Sequence, residues 1–136
     1  MPPFQTKGLD HVVLRVADLP RALRFYRDVI GCTVEREQGS IGLTQLRIGA
    51  SLIDLVTLEG RLGRLGGAGP GVEGRNMDHF AVAVTPFDEA EIRAHLAGHG
   101  VAVVEAGMRY GAEGEGPSIY ILDPDGNRVE LKGPPV

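Results

Sequence analysis

One structural unit is written twice in this chain, and that repeat limits the possible folds more than any other feature. Asp10-His11 opens an apolar stretch, and Asp78-His79 opens a matching stretch 68 positions later. Each copy continues with a short break, a helical spacing of apolar residues, a glycine and three further strand-like segments. The sequence therefore predicts two successive βαβββ modules.

Residues typical of helix N- and C-termini flank both predicted helices. Asp18 is a candidate N-cap with Pro20 in the first turn, and acidic residues begin the second helix. Gly31 and Gly100 follow the two helices, where a left-handed C-terminal residue is favoured. The strands are predicted at 10–16, 32–37, 43–48 and 52–58, and in the second copy at 78–84, 101–105, 118–122 and 127–132.

Glycine is concentrated in two stretches, 59–76 and 111–116. We interpret the first as a flexible linker between a module at about 8–58 and a module at about 77–132, together forming one domain over 1–136. The second is either a mobile lid over a site or an ordinary surface loop.

Composition excludes several classes of function. The net charge of −4 and the scarcity of aromatic residues, 5%, disfavour a nucleic-acid partner. Cys32 is the only cysteine, so no internal disulfide forms, and a reducing compartment is favoured. The sequence has no apolar run long enough to cross a membrane and no signal-peptide pattern, so we expect a cytoplasmic protein with no membrane partner.

The repeat also pairs four residues of metal-binding type. His11 and His79 open the two modules, and Asp54 and Glu130 lie on their last strands. Two imidazoles and two carboxylates suit a divalent ion such as Mn²⁺, Fe²⁺, Co²⁺, Ni²⁺ or Zn²⁺. The alternative is that the histidines lie at the edge of the core while the carboxylates face solvent.

The stretch 118–131, Ser-Ile-Tyr-Ile-Leu-Asp-Pro-Asp-Gly-Asn-Arg-Val-Glu-Leu, carries a family resemblance, supported by Phe25-Tyr26 and Ile30-Gly31. Over residues 9–132 the chain resembles the vicinal oxygen chelate superfamily. That superfamily includes glyoxalase I, fosfomycin-resistance enzymes, ring-cleaving dioxygenases and bleomycin-resistance proteins. The resemblance implies an α+β fold in which paired βαβββ modules form a cup-shaped, partly open mixed β-sheet barrel with flanking helices.

The resemblance also implies a function. By position, His11, His79 and Glu130 match the metal ligands shared by most metal-dependent members, and Asp54 falls where glyoxalase I has a glutamate. The leading expectation is a metal-dependent enzyme of the lactoylglutathione lyase type, which transfers a proton through an enediolate. Asp54 would then be a fourth ligand or the general base, although aspartate is one methylene shorter than glutamate. Arg15 matches an arginine that helps hold glutathione, so glutathione or another thiol is the implied co-substrate.

Three other functions remain open from the sequence. Ser118 and Tyr120 resemble the fosfomycin-resistance branch, which adds a thiol or water to an epoxide, with Tyr120 as a donor to an oxyanion and Arg109 as an anion-binding residue. A ring-cleaving dioxygenase needs a further histidine, for which only His95 and His99 are available. The third is a metal-free protein that binds a small ligand. The family also implies a homodimer.

Overall fold

The computed structural model describes residues 1–3 and 5–136, and it divides them into two compact units, Met1–Gly69 and Pro70–Val136. Each unit contains one βαβββ module with an open, four-stranded mixed sheet. The α+β class and the duplication are therefore as predicted, and neither sheet closes into a barrel by itself. Across the described residues, no helix is long and apolar enough to cross a membrane.

The first unit has the sheet order β1-β4-β3-β2, with β1 parallel to β4 and the other pairs antiparallel. Its helix starts where Asp18 accepts a hydrogen bond from the backbone N–H of Arg21 at 2.9 Å, as predicted for an N-cap. It ends at Gly31, whose φ of 94° is the left-handed conformation that favours glycine. The elements are β1 His11–Val16, α1 Leu19–Arg24 with a π-helical continuation Phe25–Ile30, β2 Thr33–Gln38, β3 Leu43–Ile48 and β4 Ser51–Thr57.

The second unit repeats this topology with the order β5-β8-β7-β6. Its helix is capped by Asp88, which accepts from the backbone N–H of Glu91, and it is followed by Gly100 at φ 70°. The elements are β5 Phe80–Ala83, α2 Glu89–Gly98, β6 Val103–Gly111, β7 Gly114–Leu122 and β8 Arg128–Lys132.

The prediction of a loop at 111–116 is wrong. β6 and β7 form a long hairpin in which Gly111 pairs with Gly114, so most of the expected loop is strand. Cross-strand pairing between two nine-residue strands outweighs the local turn signal of the glycines.

The segment predicted as a flexible linker has close contacts with the first unit over part of its length. A short 3₁₀ helix, Gly63–Gly66, follows β4. A Cβ at Gly63 would lie 1.8 Å from the carbonyl oxygen of Thr57, so the backbone there approaches too closely for any other residue. The Arg15 guanidinium also donates to the carbonyl oxygens of Gly67 and Ala68, at 3.0 and 3.1 Å.

In each unit one sheet face forms an apolar core, because strand side chains alternate between faces. In the first unit this face packs with the helix, and Phe25 and Tyr26 contact each other edge to face at 4.9 Å. The opposite face carries the polar residues of interest. The buried apolar side chains include Leu14, Val16, Ala22, Leu46, Ile53 and Leu55 in the first unit, and Leu96, Ile119, Ile121, Val129 and Leu131 in the second.

Candidate functional site

In the first unit, strand pairing brings His11 towards Asp54. β1 and β4 run parallel, and Asp54 is opposite Val13, two residues along the strand from His11. Residues two apart share a sheet face, and the His11 Nε2 atom lies 3.9 Å from Asp54 Oδ2. The imidazole is partly exposed, whereas the carboxylate is buried.

The Asp54 carboxylate is only half supported. Its Oδ2 accepts a hydrogen bond from Gln45 Nε2 at 3.1 Å, since Gln45 is its partner on β3. Its Oδ1 is buried and has no hydrogen-bond partner among the described residues. An unsatisfied buried carboxylate oxygen is costly, so its retention is typical of an atom that binds a cation or accepts a proton.

The second unit repeats the pair with a shorter distance. His79 directly precedes β5, and its Nε2 lies 3.3 Å from Oε1 of Glu130. Glu130 is buried, and its Oε2 accepts a hydrogen bond from Ser118 Oγ at 2.6 Å. Both oxygens of this carboxylate therefore have a polar neighbour.

Each histidine is oriented by the aspartate that precedes it. His11 Nδ1 lies 2.7 Å from Asp10 Oδ1, and His79 Nδ1 lies 2.6 Å from Asp78 Oδ1. A carboxylate at Nδ1 favours the tautomer with its proton there, which leaves Nε2 able to bind a cation, as in many metal-ligating histidines.

The contacts between these histidines and the neighbouring carboxylates also shift pKa values. The hydrogen bond to Asp10, followed by the charge of Asp54, raises the pKa of His11 above the ordinary histidine value. The hydrogen bond to His79 lowers the pKa of Asp78. Both shifts stabilise the ionised partners, and both depend on the exposed Asp-His pairs.

Tyr120 lies beside the second pair. It is opposite Glu130 in the β7–β8 ladder, and its ring centroid is 5.6 Å from that of His79. The guanidinium carbons of Arg109 and Arg128 lie 5.5 and 4.5 Å from its ring centroid. Burial, and then the neighbouring Glu130, raises the pKa of Tyr120, so the phenol stays protonated and able to donate.

The Asp-Pro-Asp-Gly motif sets the register of this ladder. Asp123 Oδ1 accepts from the backbone N–H groups of Asp125 and Asn127, at 2.9 and 2.7 Å, and Gly126 adopts φ 82°. The resulting tight turn joins β7 to β8, and it places Tyr120 opposite Glu130 and Ser118 opposite Lys132.

The other residues that the sequence offers for the site are Arg15, His95 and His99. Arg15 is on the same face of β1 as His11, but its guanidinium donates to the backbone of the segment after β4, so its role in substrate binding stays a prediction. His95 and His99 are both exposed on or just after α2, with ring centroids 4.8 Å apart.

The donor chemistry fits a divalent ion. Each unit provides an imidazole nitrogen facing a buried carboxylate, and the bare Asp54 Oδ1 offers an additional oxygen. Within residues 1–3 and 5–136, no group of three or more histidine, cysteine, aspartate or glutamate side chains forms a metal-binding cluster. The structure thus shows one histidine–carboxylate pair in each unit, and a single site formed by all four residues stays a prediction.

Sequence reasoning missed several polar residues around these pairs. The alternation of β8 could have found two of them, because Arg128 and Lys132 flank Glu130 at a spacing of two. Lys132 is buried, and among the described residues its Nζ has one hydrogen-bond partner, the carbonyl oxygen of Gly133. Gln45 and Glu105 lie on other strands, so only the sheet register reveals them.

Comparisons with known proteins agree with this architecture. A family model described as the glyoxalase/bleomycin resistance protein/dioxygenase superfamily matches residues 8–131. The chain is 33% identical over 129 residues to the virulence protein STM3117 of Salmonella typhimurium, covering 90% of this chain and 81% of that one. The chain therefore belongs to the glyoxalase/bleomycin resistance protein/dioxygenase superfamily.

Solved structures give the same fold. The crystal structure of STM3117 superposes with a TM-score of 0.74 at 28% identity, covering 96% of this chain and 99% of that one. The fosfomycin resistance protein FosX of Listeria monocytogenes gives 0.71 at 22% identity, with 94% and 91% covered. Lactoylglutathione lyase of Agrobacterium tumefaciens gives 0.65 at 20% identity, with 95% of each chain covered.

Proposed function

We propose that this protein is a divalent-metal-dependent enzyme of the glyoxalase I type, which moves a proton from a hydroxyl-bearing carbon to the adjacent carbonyl carbon. His11, His79 and Glu130 would bind the ion, and Asp54 would be the base or a fourth ligand. The observation that carries the proposal is the repeated pair, in which an aspartate-held histidine faces a buried carboxylate in each unit. Superfamily membership adds support, since these are the positions at which the resemblance expects ligands.

The proposed roles of the two carboxylates differ because their surroundings differ. Ser118 holds Glu130 in place, which suits a fixed ligand. Asp54 Oδ1 has no hydrogen-bond partner within the described chain, so it can accept a proton without first breaking a hydrogen bond. In the proposed reaction Asp54 takes the proton from the hydroxyl-bearing carbon of a hemithioacetal and returns it to the adjacent carbonyl carbon. The hydroxyl proton passes to the former carbonyl oxygen, so the product is a thioester of a 2-hydroxy acid and no oxidant or reductant is needed.

The other groups of the second unit act on the substrate. A bound divalent ion would supply Lewis-acid polarisation of the carbonyl. Tyr120, kept protonated, would donate to the developing oxyanion, and its burial excludes water from that contact. Arg109, whose guanidinium lies beside the Tyr120 ring, would attract a negatively charged part of the substrate.

The first experiment measures metal content per chain by elemental analysis, after purification without chelator and after reconstitution with Ni²⁺, Co²⁺, Zn²⁺, Mn²⁺ or Fe²⁺. We expect near-stoichiometric metal in the wild type, and loss of both metal and hemithioacetal isomerisation in Glu130→Ala. Glu89→Ala is the matched control, because Glu89 pairs with Arg93 on the surface of α2. Full metal content in Glu130→Ala, or no uptake by the wild type, would show the proposal to be wrong.

A second candidate is the addition of water or a thiol to an epoxide that carries a phosphonate. The observation that favours it is the pair of guanidinium groups beside Tyr120. Expression in a fosfomycin-sensitive bacterium distinguishes the two reactions, since only this second activity would protect the host.

We also infer a homodimer from the superfamily resemblance, with small molecules as the only other partners. Analytical ultracentrifugation of the untagged protein tests this inference, and a mass near 14.5 kDa at all concentrations would contradict it.

A further inference from the structure

Two histidines lie one turn apart at the carboxyl end of α2. His95 is in the last turn of the helix, and His99 is the residue at which the helix ends. Residues four positions apart in a helix lie on the same side of it, so the two imidazoles are neighbours. Their ring centroids are 4.8 Å apart with an interplanar angle of 62°, and both side chains are exposed. An ion from solvent can therefore reach both rings.

The separation of the two rings suits a shared metal ion. Imidazole nitrogens bind Zn²⁺ at about 2.1 Å, and two imidazoles in adjacent positions on one ion then have ring centroids about 5 Å apart. The observed 4.8 Å is close to that value. The zinc-binding histidines on the helix of many metalloproteases have the same spacing of four positions. The two rings are thus already placed for chelation.

The backbone that carries the pair is held by hydrogen bonds at the end of the helix. The N–H groups of His99 and Val101 both donate to the carbonyl oxygen of Leu96, at 3.1 and 2.9 Å. Gly100 adopts a left-handed φ of 70° between them. The Leu96 side chain is buried, which anchors this turn to the core of the second unit. Because the backbone is already ordered, a bound ion restricts only two side chains, and the entropic cost of binding is small.

The electrostatic surroundings also favour a cation at this position. The carboxyl end of a helix has a partial negative charge, and the ten-residue α2 ends at the pair. Acidic residues outnumber basic ones in the second unit, Pro70–Val136. Arg93 is the nearest arginine in the sequence, and it forms an ion pair with Glu89, towards the start of the helix. Its positive charge is therefore largely balanced.

We propose that His95 and His99 form a metal site that shares no residue with the histidine–carboxylate pairs and binds a late first-row divalent ion such as Cu²⁺, Ni²⁺ or Zn²⁺. Imidazole ligands suit these ions, whereas Mg²⁺ and Ca²⁺ take oxygen ligands. No group of three ligand-type side chains occurs within residues 1–3 and 5–136, so water completes the coordination and the ion exchanges readily. A bound ion links the last turn of α2 to the residue that ends it, and so stabilises this end of the helix.

The experiment is a Zn²⁺ titration of the untagged, metal-free protein, followed by NMR of the imidazole C–H signals. The chain has four histidines, and single histidine-to-glutamine variants assign their signals. The expected result is a saturable shift of the His95 and His99 signals at the same Zn²⁺ concentration. Mg²⁺ at equal concentrations should shift neither signal, which separates imidazole ligation from general attraction to an acidic surface.

Matched variants separate a two-histidine site from binding by one histidine. His95→Gln and His99→Gln should each weaken Zn²⁺ binding at α2 by about tenfold or more, because the remaining imidazole binds alone. The double variant Ala94→His with His95→Gln keeps two histidines at exposed positions of the helix but places them five positions apart. It should bind no better than His95→Gln, since residues five apart do not share a side of a helix.

Three results would overturn the inference. They are the absence of a shift with Zn²⁺ in large excess, unchanged affinity in His95→Gln or His99→Gln, and wild-type affinity in the double variant with five-position spacing. The first would make the pair a contact between two rings that share no ion. The other two would make any binding there the property of a single imidazole.

Glu130→Ala keeps this inference apart from the proposed function. The Zn²⁺-induced shifts of His95 and His99 should persist in that variant, whereas metal uptake by the histidine–carboxylate pairs should be lost. Gel filtration before elemental analysis removes the readily exchanged ion from α2, so the metal content per chain reports on the pairs. Either proposal can therefore fail while the other holds.

Discussion

Each of the two units contains a histidine–carboxylate pair, but the hydrogen bonds of the carboxylate differ between the units. In the first unit Asp54 receives one hydrogen bond, from Gln45, and keeps a bare oxygen within the described residues. In the second unit Glu130 is held by Ser118 on one oxygen and faces His79 at 3.3 Å with the other. A fully engaged carboxylate is suited to fixed ligation, whereas a half-engaged one remains available to a proton or a cation.

The units differ equally in the groups that surround the pair. In the second unit Tyr120, Arg109 and Arg128 lie on the same face as Glu130, with Glu105 between the arginines. In the first unit the arginine on the same face as His11 is Arg15 on β1, whose guanidinium donates to two backbone carbonyl oxygens. The repeat thus contains two copies of one pair, and only the second copy has an aromatic ring with two guanidinium groups beside it.

The largest expected effect comes from neutralising each of the two carboxylates in turn, because the comparison gives them different roles. Asp54→Asn keeps the shape and the acceptor for Gln45, so we expect metal content to be retained while kcat falls by about 10²–10⁴-fold, the range for loss of a general base. Glu130→Gln should instead lower metal content. Asp28→Asn, on the exposed side of the first helix, is the control. Equal behaviour of the two carboxylate variants in metal content and kcat would remove the distinction between the units.

The next effect concerns the packing of the first unit, which contains Cys32, the only cysteine of the sequence. Burial raises the pKa of the Cys32 thiol to about 11. The thiol stays protonated below that pH, so alkylation by iodoacetamide at pH 8 should be roughly a hundredfold slower than for a free cysteine. The rate should rise as the pH approaches 11, and a fast reaction at pH 8 in the native protein would contradict the buried position.

A smaller effect concerns the aspartates that hold the histidines. Asp10→Asn and Asp78→Asn should each weaken metal binding about tenfold, since a carboxylate at Nδ1 fixes the ring and raises its basicity. Competition with a fluorescent chelator measures the affinities. A loss in Asp78→Asn alone would indicate that only the second unit contributes a ligand histidine.

The smallest effect tests the segment that follows β4. A Cβ at Gly66 would lie 2.4 Å from Arg15 Nη1, so Gly66→Ala should displace that side chain from its two carbonyl partners. We expect a loss of about 1 kcal/mol in the free energy of unfolding, measured with urea. Gly74→Ala, where a Cβ meets nothing within 4 Å in the described chain, should change it little. Equal stability of both variants would show that the two hydrogen bonds from Arg15 contribute little to the free energy of unfolding.

Much of the fold could be predicted because its signals are local. Asp18 caps the first helix, Gly31 ends it, and the strands 43–48 and 52–58 lie within one residue of β3 and β4. The prediction failed at 111–116, where glycines that indicate a loop lie in a paired hairpin. Glycine marks a possible turn, but long-range pairing decides whether a strand forms there.

The sequence by itself determined the duplication, the caps and the four residues of metal-binding type, because each depends on periodicity or on neighbours a few positions apart. Only the tertiary structure decided what each carboxylate and each arginine contacts. Gln45 reaches Asp54, Ser118 reaches Glu130, and Arg128 reaches Glu105 from different strands, 9, 12 and 23 positions apart in the chain. Sheet register sets these contacts, and a shift of one residue would turn every one of these side chains to the other face.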